Sequence, residues 1–93
     1  MEQTEFFINA MADYFDQSVA TASDDQLFAA GYLRGHIDLA VGTLQLKEHA
    51  FSVEQLQQQV SQSLQQAIAA GELNDADQAL VVDIWLHLQQ LSH

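Results

Sequence analysis

The sequence predicts an all-α protein, an up-and-down bundle of four helices whose second helix is largely buried. Apolar residues recur at helical spacing in four segments, capping residues stand before three of them, and no proline interrupts them. The connections, near 21–23, 47–52 and 71–74, are short, and short connections favour antiparallel neighbours. We therefore expect residues 1–93 to form a single helical domain.

The first helix is expected over about residues 3–20 because apolar and polar residues separate around it. This helix should pack one face against the core. The apolar side holds Phe7, Ala10, Met11, Tyr14 and Phe15, and the polar side holds Glu2, Glu5, Asn9, Asp13 and Asp16.

The second helix, about 24–46, has two apolar faces. Ser23 stands before it as an N-cap, and Asp24 and Asp25 follow at the positive end of the helix dipole. A helix that is apolar on two sides is expected at the centre of the bundle. One face holds Phe28, Tyr32, Leu39 and Leu46, and the other holds Leu33, Ile37, Ala40 and Leu44.

Three glycines, Gly31, Gly35 and Gly42, lie beside the aromatic face of this helix. Each costs about 1 kcal/mol of helix propensity relative to alanine, so some other interaction should offset that cost. We expect the close approach of a neighbouring helix, or of an aromatic ring such as Trp85 or Phe7.

Arg34 lies on a narrow polar strip of the second helix, four residues before Asp38. Residues at this spacing are neighbours on a helix, so an ion pair is expected where the helix reaches water. A structural ion pair is one interpretation, and an anionic ligand held by the guanidinium is the other. The candidate partners of Arg34 are Asp38 and the helix-start acids Asp24, Asp25 and Asp77.

The third helix is expected to begin after Ser52 and to end at Gly71. Ser52 and Gln55 have the spacing of a capping box, and Gly71 suits a left-handed helix end. Phe51, in the link 47–52, is expected to pack near Leu56 as a hydrophobic staple. The apolar face holds Val53, Leu56, Val60, Leu64, Ala67 and Ile68.

The fourth helix, about 75–91, is capped by Asn74 and has a core face and a smaller apolar flank. The flank consists of Ala79, Val82 and Leu86, and the core stripe does not account for it. We interpret this flank as a candidate protein interface. The core face holds Leu80, Val81, Ile84, Trp85, Leu88 and Leu91.

The chain is strongly acidic, with 13 acidic and 2 basic residues and a formal net charge of -11. Nucleic acids and anionic membrane surfaces are bound through clustered lysine and arginine, so we expect neither as a partner. The segment MEQTEFF has acids where an export signal needs basic residues, and no apolar run approaches about 18 residues. With no cysteine present, these features favour a cytoplasmic location.

Five residues are candidates for a ligand or ion-pair site: Arg34, His36, Asp38, Asp83 and His87. A metal needs three or four converging ligands, and the chain has neither an H-E-x-x-H motif nor a cysteine. No metal site is therefore assigned, and no cofactor is expected. The serines lack a nucleophile elbow, and the glycines lack a phosphate-binding spacing, so we expect no enzymatic activity.

Two stretches, ASDDQLFAAGYLRGHIDLAV at 22–41 and VSQSLQQAIAAGELNDADQALVVDIW at 60–85, make up about half of the chain. They resemble the YfcL family, small bacterial proteins without an assigned activity. The resemblance implies a short soluble helical protein of gammaproteobacterial type, and it implies no catalytic residues. Some of the residues that make the family recognisable have no clear role as helix caps or as core residues. We expect a functional surface to be built from these residues: Arg34, His36, Glu72, Asp77 and Asp83.

We therefore expect a non-enzymatic protein-interaction module whose protein partner is unknown. Its simplest form is a homodimer formed through the flank of the fourth helix. The alternative is a small-molecule or metal-binding helical bundle that uses Arg34, His36 and either His87 or Asp83.

Overall fold

A computed structural model of the chain describes residues 2–47 and 50–91, with the side chains of 3–47 and 50–91. The helices are α1 (Glu2–Ser18), α2 (Asp24–Gln45), α3 (Val53–Ala69) and α4 (Asp75–Gln90). No strand occurs within these described ranges. The prediction of an all-α, four-helix protein is confirmed, and the helix bounds agree closely with the expected ones.

The predicted capping residues begin three of the helices. Ser23 and Gln26 form a complete capping box at α2, and Ser52 and Gln55 form another at α3. The Asn74 side chain accepts a hydrogen bond of 2.7 Å from the backbone N–H of Asp77 at the start of α4. These contacts satisfy backbone donors that a helix start would otherwise leave without partners.

The end of α3 has the geometry predicted from Gly71. That residue has φ = 76°, in the left-handed region, directly after the C-cap Ala70. The backbone N–H of Gly71 donates to the carbonyl of Ile68, and the N–H of Glu72 donates to that of Ala67. These two bonds define a Schellman motif, which turns the chain toward α4.

Successive helices run antiparallel, which is the predicted up-and-down topology. Between α2 and α3, Tyr32 contacts Glu72 while His36, one turn further along α2, contacts the earlier residue Ser63. The contacts between α1 and α2 show that these two helices are also antiparallel, and so do the contacts between α3 and α4. The closest packing is that of α2 against α3 and α4, so α2 is central to the bundle.

The core consists of one apolar stripe from each helix, as predicted. Thr4 is the buried polar residue among the described side chains, and its Oγ1 donates a 2.9 Å hydrogen bond to the carbonyl of Phe51. Phe51 is half-buried and packs against the core, which includes Leu56. The other part of that link, Glu48 and His49, lies outside the described residues. The core residues are Phe7, Met11, Phe15, Ala29, Leu33, Ile37, Ala40, Leu44, Leu56, Val60, Leu64, Val81, Trp85 and Leu88.

The structure corrects the extent to which α2 is buried. Its face of Leu33, Ile37, Ala40 and Leu44 is in the core, but the second apolar face is largely in solvent. Four helices of this length enclose one core, so only one side of α2 meets its neighbours. The exposed fractions on the second face are 53% for Phe28, 66% for Leu39 and 84% for Leu46.

The expectation that the glycines of α2 allow close packing within the chain is wrong. A Cβ atom built on Gly31, Gly35 or Gly42 would meet no described atom within 4 Å. All three glycines are exposed, since they lie on the outer side of the helix. Phe7 and Trp85 point into the core instead.

Candidate functional site

The five predicted site residues lie on three different surfaces of the bundle. Arg34 and Asp38 lie where α2 meets α1, and both line a small cavity of about 180 Å³ there. His36 lies where α2 meets α3. Asp83 and His87 lie on α4, beside α1. The structure therefore brings Arg34 and Asp38 near each other, and Asp83 near His87, but does not gather the five into one site.

Arg34 forms its ion pair with a residue of α1 that the sequence did not single out. Its guanidinium nitrogen lies 3.7 Å from a carboxylate oxygen of Asp16, and its Cζ atom lies 5.7 Å from the centre of the Phe15 ring. The predicted pairing with Asp38 is wrong within the chain. On a helix, an i, i+4 ion pair is weaker when the cation precedes the anion, and Phe15 offers the guanidinium a ring face on the α1 side.

The predictions that paired Arg34 with helix-start acids are also wrong. Asp24, Asp25 and Asp77 form no ion pair with Arg34 in the part of the chain that the structure describes. The side chains of Arg34 and Asp16 are 45% and 71% exposed, so water screens their attraction. The pair therefore contributes little to the stability of the fold.

His36 belongs to a polar and aromatic seam between α2 and α3. Its Nδ1 is hydrogen-bonded to the hydroxyl of Ser63, and its ring lies 4.8 Å from the ring of Tyr32. The Tyr32 hydroxyl in turn donates a 2.7 Å hydrogen bond to Glu72. Partial burial, this hydrogen bond and the negative charge of Glu72 together raise the pKa of Tyr32 to about 12.

Sequence reasoning missed the partners in this seam. Tyr32 and His36 stand one helical turn apart, which predicts that their rings meet on one face of α2. Ser63 carries no motif, and Glu72 was singled out only as a residue typical of the family, so no local pattern pairs either of them with α2. These contacts join α2 to α3 and to the turn that follows α3. The role of the seam is therefore structural.

Asp83 and His87 lie on the side of α4 that faces α1. The His87 ring lies 5.1 Å from the ring of Tyr14, and Asp83 and Tyr14 both line a cavity of about 240 Å³ between α1, α2 and α4. Within the described residues, no group of three or more His, Asp or Glu side chains is placed to hold a metal ion. Asp83, His87 and Tyr14 together offer one carboxylate, one imidazole and one phenol to a small polar molecule.

The predicted interface on α4 is exposed, as expected. We call Ala79, Val82 and Leu86 the α4 flank; Val82 is 36% exposed and Leu86 is 56% exposed. A shallow groove follows these residues and is bordered by Asp75 and Asp83. Trp85, between them in sequence, points inward and donates a 3.1 Å hydrogen bond to the hydroxyl of Ser61. The α4 flank is thus an exposed apolar strip that lies beside the core face of α4.

The comparisons with known proteins agree with the resemblance seen in the two long stretches. A family model described as "YfcL protein" matches residues 5–90. The chain belongs to the YfcL family. A relative from Escherichia coli (strain K12), described as "Uncharacterized protein YfcL", is 52% identical over 75 residues, which cover 81% of this chain and 80% of the relative. No solved structure matches the chain.

The match to the YfcL family spans all four helices, from the first turns of α1 to the end of α4. The seam between α2 and α3, the Arg34 ion pair and the α4 flank all lie inside it. No described helix combines the length and the apolar composition that a membrane span needs.

Proposed function

We propose that this protein is a non-enzymatic protein-interaction module that self-associates. The supporting observation is the set of large apolar side chains on the outer sides of the helices. Single exposed apolar side chains are normal, but neighbouring ones on one helix surface are typical of interaction sites. The exposed side chains are Phe6, Val19, Leu27, Phe28, Leu39, Leu46, Val82 and Leu86.

The α4 flank is the interface that the sequence predicts. Val82 and Leu86 stand four residues apart on one side of α4, so they form a strip that runs along the helix. An apolar strip with a charged border suits the apolar face of another helix. Burying the exposed 36% of Val82 and 56% of Leu86 stabilises a complex by about 0.5–1.5 kcal/mol each before the entropy loss of association is counted.

Sedimentation equilibrium with a charged variant of the flank tests this proposal. We expect the wild-type mass to exceed the 10.3 kDa of one chain, and Val82→Asp with Leu86→Asp to lower it while the helical circular dichroism is kept. Gln58→Asp with Gln62→Asp is the matched control, because it adds the same charge at the same spacing on exposed positions of α3.

Two outcomes would count against parts of the proposal. A wild-type mass of one chain at every concentration would contradict self-association. An associated wild type whose mass is unchanged by the double substitution would show that the α4 flank is not the contact between copies.

The alternative function, a small-molecule or metal-binding bundle, has less support. It placed Arg34 and His36 in one site, with His87 or Asp83 as optional additions, and these side chains lie on three different surfaces. The cavity beside Tyr14 and Asp83 is open to solvent and has one carboxylate. The absence of enzymatic activity, the cytoplasmic location and the exclusion of nucleic acid and membranes stay predictions from the sequence.

A further inference from the structure

A cavity of about 240 Å³ lies between the end of α1, the first half of α2 and the middle of α4. Its apolar lining consists of half-buried side chains, among them Ala30, Leu80 and Ile84. Small residues keep the cavity open, because a larger side chain at Ala22 or Ala30 would occupy the space. An apolar cavity of about 150 Å³ binds benzene, so this one has room for a molecule of about ten non-hydrogen atoms.

Among the described residues, Asp83 is the charged one that lines this cavity. Its carboxylate has no ion pair and no hydrogen bond in the described part of the chain, and His87, one turn later on α4, does not pair with it. Arg34 pairs with Asp16 and lines a different cavity, and Lys47 lies beyond the end of α2. The negative charge beside the cavity is therefore not neutralised by a lysine or arginine of the chain.

Tyr14 gives the cavity an aromatic wall next to this carboxylate. The centre of its ring lies 5.8 Å from that of Phe15, in an edge-to-face contact, and 5.1 Å from that of His87. These contacts restrict the Tyr14 ring before any ligand binds, which lowers the entropy cost of binding. The face of an aromatic ring attracts cations electrostatically, and it does so more strongly where water is excluded.

The remaining polar part of the lining can accept hydrogen bonds. The Ser18 hydroxyl donates a 3.0 Å hydrogen bond to the carbonyl of Phe15, and its oxygen keeps its own acceptor capacity. Thr21 adds a second hydroxyl at the exposed edge of the cavity. An ammonium group has three N–H donors and no acceptor, so the donors that Asp83 does not take have partners here and in the water at the edge.

An apolar lining, an aromatic ring and one free carboxylate together fit a small organic cation. The apolar lining takes the uncharged part of such a molecule, and the ring and the carboxylate take its charge. The net charge of -11 draws cations toward the protein and repels anions. A more open hollow, which Tyr14 and Asp83 also line, continues along α4 and gives a ligand access to the cavity.

We propose that the cavity between α1, α2 and α4 binds a small monoamine whose ammonium group contacts Asp83 and Tyr14 and whose apolar part lies against the half-buried lining. The separation of surfaces that weakens a site built on Arg34 and His36 does not apply here, because every group that this ligand uses lines one cavity. The site adds to the proposed self-association and does not depend on it.

An NMR titration of the isotope-labelled chain with phenethylamine tests this proposal. We expect saturable shifts of backbone amide signals around the cavity, within 14–22, 26–30 and 80–84, and none along α3, which does not line it. Phenethyl alcohol has nearly the same size without the charge and should bind about tenfold more weakly. Phenylacetate, whose charge is reversed, should not bind.

Two variants assign the charge and the ring. Asp83→Asn should weaken the binding of phenethylamine about tenfold and leave that of phenethyl alcohol unchanged. Glu54→Gln is the matched control, because it removes one negative charge from an exposed position on α3 and should leave the binding of both unchanged. Tyr14→Leu keeps an apolar side chain without the ring, so it should reduce the preference for the amine over the alcohol.

Three outcomes would overturn the site. One is the absence of any saturable shift with phenethylamine. Another is a set of shifts that follows the acidic residues over the whole surface, which would show general attraction of a cation to an acidic protein. The third is equal binding of phenethylamine by Asp83→Asn and Glu54→Gln. None of these outcomes would change the test of self-association, which measures mass.

Discussion

Tyr32 is the residue whose local chemistry differs most from its expected role. The sequence places it on an apolar face, and the structure has its hydroxyl bonded to Glu72 at the end of α3. The neutral phenol donates this bond, and ionisation would put two negative charges side by side. Partial burial first, and then this hydrogen bond and the charge of Glu72, raise the pKa of Tyr32, so the contact is sensitive to high pH.

The pH dependence follows from the direction of this shift. The pKa of Tyr32 rises from 10.0 to about 12 on folding, so its contribution to stability is complete below pH 10.0 and is lost as the pH rises through about 12. Ultraviolet titration in a Tyr14→Phe background isolates Tyr32. Glu72→Gln should lower its pKa toward 10.0, with part of the shift kept because partial burial is the largest cause.

Glu54→Gln is the control for this titration, since Glu54 is an exposed carboxylate at the opposite end of α3. It should leave the titration of Tyr32 unchanged. A Tyr32 titration that is the same with and without the Glu72 carboxylate would show that the hydrogen bond does not form in solution.

Arg34 illustrates what a single sequence can and cannot predict about one residue. Its place on a polar strip of α2 follows from helical periodicity. Its partner does not, because Asp16 is one of several acids on the polar side of α1 and the packing of α1 decides which of them is near. An exposed pair of this kind contributes roughly 0–1 kcal/mol.

At the scale of the helices, two glycines should respond to alanine with opposite signs. Gly71 has φ = 76°, where a side chain is strained by about 1–2 kcal/mol, so Gly71→Ala should destabilise the fold. Gly31 is helical and a Cβ there meets open space, so Gly31→Ala should stabilise one copy by up to about 1 kcal/mol. Urea unfolding at low protein concentration measures both.

Equal effects of the two alanine substitutions would contradict the backbone geometry assigned to the end of α3.

The helix starts could be predicted because their chemistry is local. A capping box needs only two side chains three residues apart, and the sequence contains both of them. The burial of the second face of α2 was harder to predict, since apolar residues on two sides of a helix fit a helix covered on both sides and a helix with one exposed face equally well. The number of neighbouring helices decides between them, and a sequence pattern does not contain that number.

At the scale of the whole molecule, stability should depend on one core. Leu33 is fully buried and Leu39 is 66% exposed on the same helix, so they form a matched pair. Leu33→Ala should destabilise the fold by about 2–5 kcal/mol, and Leu39→Ala by less than about 0.5 kcal/mol. Urea unfolding monitored by circular dichroism, at a concentration where copies are separate, tests this. Similar losses would place Leu39 in the core.

The candidate site was predictable only as separate residues. Asp83 and His87 are neighbours by helical spacing, and the structure keeps them together. Arg34 and His36 are two residues apart, which on a helix points their side chains to different sides, toward α1 and α3 respectively. The expected surface of Arg34, His36, Glu72, Asp77 and Asp83 therefore does not form one patch.

The close packing of α2 against α3 and α4 has a consequence for how the bundle opens. The first helix is held by its apolar stripe, the exposed Arg34 pair and the Thr4 hydrogen bond. Protection of amide protons from exchange with solvent should therefore be unequal along the chain. Amides of α1 should exchange through local detachment, while those in the middle of α2 should require global unfolding.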